Sequence, residues 1–337
     1  MKKIARRVGS LLLVSLIALS ATACSNEPVN MNTKSGNEGA ASAGDKVTIK
    51  IGGGPSSGAN YTTFAGIGNL VMNDFPNYIV SSEISTGSQE NIRLILNGSC
   101  QFGIAMSDVE SAAFSGTREF EGEEKGKINH VMGGYTTMLH MMVVEKSDIQ
   151  SIADLKGKKV AVSKGAMSQY YMPILLESYG LTMDDVSVTE LALQDICNAI
   201  SDGTADFGVH ITPYTSSPIA DLAATKGIRL ISLEDDAIND ITSEYPYFIK
   251  STIPAGTYTG VDSDTVVIGT RNNLVCGADV DEDVVYNVVK TIMEHQEDLA
   301  DIHPQAVNFN ADNAINGALI DIHPGAAKYY KEIGLMQ

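Results

Sequence analysis

Short runs of β-branched residues alternate with amphipathic stretches along most of this chain, starting at Val47. Residues 47–51, 78–85 and 102–106 are typical of strands, and a helical stretch follows each of them. Strands that alternate with helices in this way favour a parallel sheet with helices on both faces. The sequence therefore predicts an α/β fold.

The alternation begins afresh after an apolar run at residues 139–144, which is typical of a strand buried on both faces. We expect a first lobe from residues 46–140 plus 257–337, and a second lobe from residues 141–256. The connections between them are expected to cross near residues 139–144 and 257–265. A small ligand is expected in the cleft between the lobes.

The first residues have the pattern of an export signal. Four cations precede an apolar run at residues 11–19, which is too short to span a bilayer as a helix, since that needs roughly 20 residues. Small residues then lead to Cys24, as in a cleavage site. We predict a signal peptide at residues 1–23 and an exported protein.

The segment around Cys24 is similar to a bacterial lipobox, which implies a diacylated Cys24 at the mature N-terminus. Plain cleavage before Cys24 is the alternative. Residues 24–45 contain almost nothing to bury, so they are predicted to act as a flexible linker to a lipid anchor in the membrane.

Charge and motif content exclude several classes of function. The formal net charge of −18 would repel phosphate backbones, so no nucleic-acid partner is expected. Cys100, Cys197 and Cys276 are widely spaced and odd in number, so no disulfide framework is predicted. The histidines show no metal-binding spacing and no GxSxG elbow occurs, so we predict no metal, no cofactor and no catalysis.

A glycine-rich segment at residues 52–61 lies directly after one predicted strand and before a helix. Such a junction exposes backbone N–H groups and a helix N-terminus, which together favour an anion. Ala59 and Asn60 stand where a Walker loop needs Lys and Ser or Thr, and Ser57 stands where the dinucleotide fingerprint needs Gly. The segment is therefore predicted to hold a small acid; a tight turn without a ligand is the alternative.

Three further strand-to-helix junctions are candidate ligand segments. Ser88 fits an N-cap position, and Asn91 lies one turn inside the same helix. Ser107 follows a strand, where ligands bind in open α/β sheets, and Ser107 or Asp108 is expected to cap the next helix. Residues 164–168 form the corresponding junction in the second lobe. Capping alone is the alternative for Ser88, Ser107 and Asp108.

Several motifs occur in an order that resembles one known family. They are Gly53-Gly54, Gly58, Tyr61, Thr86-Gly87-Ser88, Asn91, Ser107-Asp108, residues 154–158, Asp202-Gly203, Asp206, residues 218–220, residues 253–260, residues 323–326 and Tyr329-Tyr330. This order is similar to that of the TAXI receptors of tripartite ATP-independent periplasmic (TRAP) transporters, and it covers residues 47–334.

The resemblance implies a two-lobed periplasmic-binding-protein fold (type II-like) that closes on an amino acid such as glutamate, or on a small organic acid. It also implies delivery to a sodium-coupled TRAP permease. Three segments depart from the family pattern, at residues 55–57, Met106 and residues 164–168. The complete predicted ligand site comprises Gly54, Ser56, Ser57, Asn60, Tyr61, Ser88, Asn91, Met106, Ser107, Ala166, Met167, Ser168 and Tyr214.

Three other functions remain open on the sequence. The same fold serves as a receptor for ABC importers or sensor kinases, and no motif marks the partner surface. An exported enzyme would need a catalytic group such as His210, which follows a predicted strand and is expected to be a satisfied structural histidine. A purely structural lipoprotein would leave the glycine-rich and serine-rich junctions without a role.

Overall fold

The computed structural model describes residues 46–56 and 58–337. The predicted signal peptide, the linker, Cys24 and Ser57 lie outside these residues. Within them, no helix combines the length and apolarity that a membrane crossing requires.

Ten strands form one mixed sheet. They are β1 (Val47–Gly54), β2 (Tyr78–Ile84), β3 (Phe102–Met106), β4 (Ile128–Val144), β5 (Lys159–Ser163), β6 (Ser187–Leu191), β7 (Phe207–Thr212), β8 (Ile228–Leu230), β9 (Ile249–Ile253) and β10 (Thr265–Gly277).

Helices cover the sheet. They are α1 (Ala59–Asp74), α2 (Ser88–Leu96), α3 (Ser107–Ser115), α4 (Met172–Glu177), α5 (Leu193–Asp202), α6 (Ser217–Lys226), α7 (Asp235–Glu244), α8 (Glu282–Glu294), α9 (Gln296–Ile302), α10 (Ala311–Ala314) and α11 (Pro324–Glu332). A π-helical turn, Met167–Tyr171, leads into α4.

The strand order is β2-β1-β3-β10-β4-β7-β5-β6, with β8 beside β4 and β9 beside β10. β1, β2 and β3 are mutually parallel, and so are β5, β6 and β7. The long strands β4 and β10 run antiparallel to each other between these two groups. The predicted α/β architecture is confirmed, and two crossing strands join its halves.

Buried apolar side chains separate into cores on either side of the crossing. One core contains Leu139 and the later part of β4, together with Val267 and Ile268 of β10. Two other clusters contain the start of β4 and the end of β10, and they pack against α1, α2 and α8. The division falls at residues 136–138 and 269–271, so the expected crossing at 139–144 and 257–265 is displaced into the second core. Tyr258 and Val261, which the sequence assigned to the first lobe, also pack in the second core.

Three predicted elements are wrong in detail. Residues 168–179 have the pattern of one α-helix, but in the structure they begin with the π-helical turn; residues 282–298 have the pattern of one long amphipathic helix, but it is interrupted at His295. Residues 116–127 are charged and contain several glycines, which predicts a solvated loop, but Phe120 within them is completely buried. Hydrophobic periodicity did not show these features, because each depends on contacts with another part of the chain.

Candidate functional site

The carboxyl ends of the two strand groups face each other at the crossing. Met106, the last residue of β3, lies opposite Asn272 of β10, and Thr212, the last residue of β7, lies opposite Met138 of β4. Met138 is itself paired with Gly269 of β10. The end of β3 is therefore level with residue 272 of β10, and the end of β7 is level with residue 269. These positions are three residues apart, or about 10 Å of extended strand, which is comparable to the length of a small ligand.

Three helices begin at the first lobe's side of this gap. α1, α2 and α3 follow β1, β2 and β3, and their N-cap residues are Gly58, Gly87 and Met106. None of these three residues makes a side-chain capping bond. The prediction that Ser88 and Ser107 or Asp108 are N-caps is wrong, because Ser88 and Ser107 are the first helical residues. First-turn N–H groups without a side-chain cap can bind an anion or water.

The Ser88 and Ser107 hydroxyls hold the end of β3 in place. Ser88 Oγ accepts a hydrogen bond from the Met106 N–H at 3.1 Å. Ser107 is buried, and its Oγ donates to the Arg271 carbonyl at 3.3 Å. Asn273 Nδ2 lies 3.3 Å from the same Oγ as a donor. Both serines lie at the gap as predicted, and a role in ligand contact stays a prediction.

Asn91 has a structural role that the sequence did not reveal. Its side chain is buried, and its Oδ1 accepts from Ser85 Oγ at 2.5 Å while its Nδ2 donates to the Ile104 carbonyl at 2.8 Å. A Cβ on Gly52 would lie 2.6 Å from Asn91 Oδ1, so Gly52 is needed for this close approach. Asn91 therefore ties β2 and β3 to α2, and both of its polar groups are already bonded.

The glycine-rich segment turns the chain from β1 into α1. Gly54 has φ of 91°, which favours glycine, and Ser56 is exposed in the turn. Asn60 Oδ1 accepts from Tyr135 Oη at 2.8 Å, which fixes the start of α1 against β4. Tyr61 is half-buried. Among the members of this predicted group that the structure describes, Ser56 has the most accessible side chain.

The second lobe contributes the segments after β5 and β7. Met167 is buried in the second core, where Ala166 packs against it, and Ser168 Oγ donates to the Gly165 carbonyl at 3.1 Å. Tyr214 follows β7 and is 41% exposed. Met106 packs against both the second core and a first-lobe cluster. Because β5 and β7 are parallel, the segments that follow them lie on the second lobe's side of the gap. Ligand contact by these residues stays a prediction.

Arg271 is a residue at this gap that the sequence reasoning missed. It lies on β10 beside Asn272, and its Nη1 donates to Asn313 Oδ1 at 3.0 Å. Its buried Nε has no partner, and no ion pair to a carboxylate is found for it within residues 46–56 and 58–337. Burial lowers the pKa of this guanidinium. The sequence feature that could have drawn attention to Arg271 is that it is the only charged residue of β10.

Two histidines, His140 of β4 and His210 of β7, lie opposite each other, two residues from the Met138–Thr212 pair. His140 bonds to the Met138 carbonyl and to Tyr258 Oη, at 3.0 and 2.9 Å. His210 lies opposite His140, and its buried Nδ1 has no partner among the described residues, so the expectation of a satisfied histidine is wrong. Burial lowers the pKa of each imidazole to about 4, so both are neutral at pH 7.

A recess of about 1200 Å³ lies at the opposite edge of the first lobe, by the start of β1 and the end of β10. None of the predicted ligand residues lines it. No group of His, Cys, Asp and Glu suited to a metal ion is present in residues 46–56 and 58–337.

Comparison with known proteins gives a family and a fold. The model of the NMT1-like family matches residues 51–334. A putative aliphatic sulfonates-binding protein of Escherichia coli K12 is 35% identical over 79 residues, which are 23% of this chain. That match spans only 25% of the length of the relative.

The crystal structure of the periplasmic aliphatic sulphonate binding protein SsuA from E. coli superimposes with a TM-score of 0.51. It is 16% identical, and the alignment covers 85% of this chain and 84% of SsuA. A protein of the same name from Methylobacillus flagellatus, with a TM-score of 0.48, 17% identity and coverage of 87% and 88%, is described as the periplasmic component of a putative sulfonate ABC transporter. The likeness to SsuA from E. coli shows that this chain has the α/β fold of a periplasmic solute-binding protein.

Proposed function

We propose a function for this chain on the premise that it belongs to the NMT1-like family. The chain is an extracytoplasmic receptor that binds a small anionic solute between its two lobes and delivers it to a membrane permease. No chemical step is part of this function.

One structural observation carries the proposal. The carboxyl ends of β3 and β7 lie about 10 Å apart along the crossing strands, at the position where open α/β sheets bind ligands. A solute held there touches both lobes at once. Because its contacts are complete only when the lobes are together, its binding free energy favours the closed state.

The anionic class of the solute is supported by the groups around this gap. The first turns of α1, α2 and α3 present N–H groups without side-chain caps, and Arg271 lacks a carboxylate partner among the described residues. N–H groups and a guanidinium both bind sulfonate or carboxylate oxygens. The names of the relatives favour an aliphatic sulfonate over the amino acid or organic acid expected from the sequence.

The permease that receives the solute is, in this proposal, an ABC importer. The M. flagellatus protein that shares the name SsuA is described as part of such a system. A TRAP permease is the second candidate, because the order of motifs over residues 47–334 resembles that of the TAXI receptors. Uptake into vesicles that contain the cognate permease distinguishes them: dependence on ATP supports the importer, and dependence on a sodium gradient without ATP supports TRAP.

The solute class is tested with residues 46–337 by thermal unfolding and calorimetry. The probes are alkanesulfonates of two to six carbons, the carboxylates of the same chain lengths, glutamate, and neutral alcohols as controls. A ligand that binds only the folded protein raises Tm by mass action. We expect a rise with a sulfonate and none with the alcohols. A rise with carboxylates alone would reject the sulfonate class, and a rise with none of the acids would reject the anionic site.

The location is tested by adding a negative charge at the start of α1. Ser56→Asp is expected to weaken binding of the best sulfonate or carboxylate about fivefold or more, because like charges a few ångströms apart repel by about 1 kcal/mol or more. Ser56→Asn, which is similar in size and neutral, is the matched control. Equal affinity of the two variants would place the ligand elsewhere.

A further inference from the structure

Arg118 lies between the two lobes although it belongs to a segment that is rich in charge and glycine. Its guanidinium carbon lies 3.8 Å from the centroid of the Tyr170 ring, and only 16% of its side chain is exposed. Tyr170 belongs to the π-helical turn before α4 and packs against the second core. Arg118 follows α3, which packs in the first lobe. The stack therefore joins the lobes directly.

The same guanidinium is tied to its own lobe by two carboxylates. Arg118 Nη1 lies 3.0 Å from Asp108 Oδ2, and its Nε lies 3.2 Å from Glu119 Oε2. Asp108 is fully buried in the first turn of α3. With two carboxylates beside one cation, this cluster does not attract a further anion, so it is not a second part of the anion site.

The second lobe also places Tyr171 against this cluster. The Tyr171 hydroxyl and Asp108 Oδ1 are both buried, and neither has a partner that meets hydrogen-bond geometry within the part of the chain that the structure describes. The proximity of the two groups contributes to raising the pKa of Tyr171 well above its usual value, after burial, which is the larger cause. A small movement of the lobes would join them or separate them, because one group belongs to each lobe.

The backbone at Arg118 is held in an unusual conformation. Its φ is 55°, and Arg118 is the only residue other than glycine with a positive φ among residues 46–56 and 58–337. A left-handed conformation costs a non-glycine residue on the order of 1 kcal/mol or more, and it persists only where surrounding contacts hold it. Burial of Phe120 two residues later supplies such a contact.

We propose that Arg118 is a latch between the lobes: stacked on Tyr170 and paired with Asp108, it stabilises the closed arrangement even when no solute is bound. Opening would expose the Tyr170 face to water and separate the stack, while the Arg118–Asp108 pair stays within the first lobe. This proposal rests on the two lobes and not on the identity of the solute.

The test measures the distance between the lobes in the protein without solute. Ser99→Cys in the first lobe and Lys226→Cys in the second, both exposed, carry spin labels for pulsed electron-spin distance measurements. The native Cys100, Cys197 and Cys276 are buried. We expect Arg118→Ala to reduce the ratio of short to long distances by about fivefold or more, as loss of a partly desolvated cation–π contact predicts.

Arg93→Ala is the matched control. Arg93 also lies over an aromatic ring, with its guanidinium carbon 5.3 Å from the Phe120 centroid, and it donates to the Glu119 carbonyl at 2.9 Å. All of these contacts are within the first lobe, so Arg93→Ala loosens the same segment without touching the second lobe. We expect its distance distribution to match that of the wild-type protein.

A second variant, in the other lobe, allows the proposal to be tested even if Arg118→Ala does not fold. Tyr170→Leu removes the ring and leaves Arg118 and both carboxylates, and it is expected to shift the distances in the same direction. The double variant is expected to shift them no further than either single variant. Unchanged distances in both single variants, or an equal shift in Arg93→Ala, would overturn the latch.

Discussion

Single residues with buried charge hold the first lobe together at the start of β4 and the end of β10. Glu110 and His130 are fully buried, with Glu110 Oε1 2.9 Å from His130 Nδ1. His130 Nε2 lies 3.0 Å from the Ala314 carbonyl, and Asn273 Nδ2 donates to Glu110 Oε2 at 2.5 Å. Because each ring nitrogen faces an acceptor, His130 carries both protons. Burial by itself lowers its pKa, but Glu110 and the carbonyl outweigh burial and raise it.

We predict that His130→Ala is strongly destabilising, because it leaves the Glu110 carboxylate buried without a cation. Breaking a buried pair in this way costs about 3–5 kcal/mol. Urea unfolding followed by circular dichroism measures the loss. The control is Lys328→Ala, which breaks the exposed Lys328–Asp283 pair at 3.0 Å and is expected to cost about 1 kcal/mol or less. Equal losses in the two variants would contradict this account.

At the scale of elements, the helices of the first lobe are fixed by contacts at their ends. α8 stops at His295, whose Nδ1 lies 2.7 Å from Asp298 of α9 and whose Nε2 lies 3.1 Å from Asp74 at the end of α1. The hydrogen bond to Asp298 is the main cause that raises the pKa of His295; slight burial opposes it and Asp74 adds to it. One imidazolium thus joins three helices.

The raised pKa of His295 predicts a pH-dependent stability. Its contribution is fully present below the unfolded pKa of about 6.5, and it is lost as the pH rises through the higher folded pKa. His295→Gln should therefore lower the free energy of unfolding more at pH 6 than at pH 9. Urea unfolding of both proteins at the two pH values measures this, and a difference that does not change with pH would refute it.

At the scale of the whole molecule, two cores share β4 and β10, so each lobe is folded around strands that also belong to the other. We expect any movement of the lobes to be concentrated at residues 136–138 and 269–271, which lie between the buried members of the two cores along these strands. A Cβ on Gly269 would lie 2.6 Å from the Thr137 carbonyl, so glycine is needed for this close approach of β10 to β4. In the functions proposed above, the solute and Arg118 both act across this crossing.

Attachment to the membrane is also a property of the whole molecule, and lipid anchoring at Cys24 stays a prediction from the sequence. The wild-type chain expressed in a bacterial host is expected in the membrane fraction, with diacylglycerol on its N-terminal peptide by mass spectrometry. Cys24→Ser should be soluble outside the cytoplasm. An unmodified, soluble wild-type protein would leave plain cleavage as the correct interpretation.

Much of the fold could be predicted because local periodicity reflects it. The strand predicted at residues 102–106 is β3, and the helical stretch predicted after the second strand is α2, since each has a clear apolar face and a marked boundary, such as Asn97-Gly98 after α2. Ligand contact by the residues of the candidate site stays a prediction, and the structure adds contacts that the sequence did not indicate. Asn91 is a structural residue, while Arg118 and Arg271 were missed, because their roles depend on residues that are distant in the sequence.

The sequence by itself determined the α/β class, the order of most elements and the position of three strand-to-helix junctions, because alternation and glycine placement act over a few residues. Only the tertiary structure decided that β4 and β10 cross between two cores and that the ends of β3 and β7 face each other there. It also decided that Arg118 reaches the second lobe. Pairing between strands and burial of a charge depend on contacts made after the chain has collapsed, and no local pattern records them.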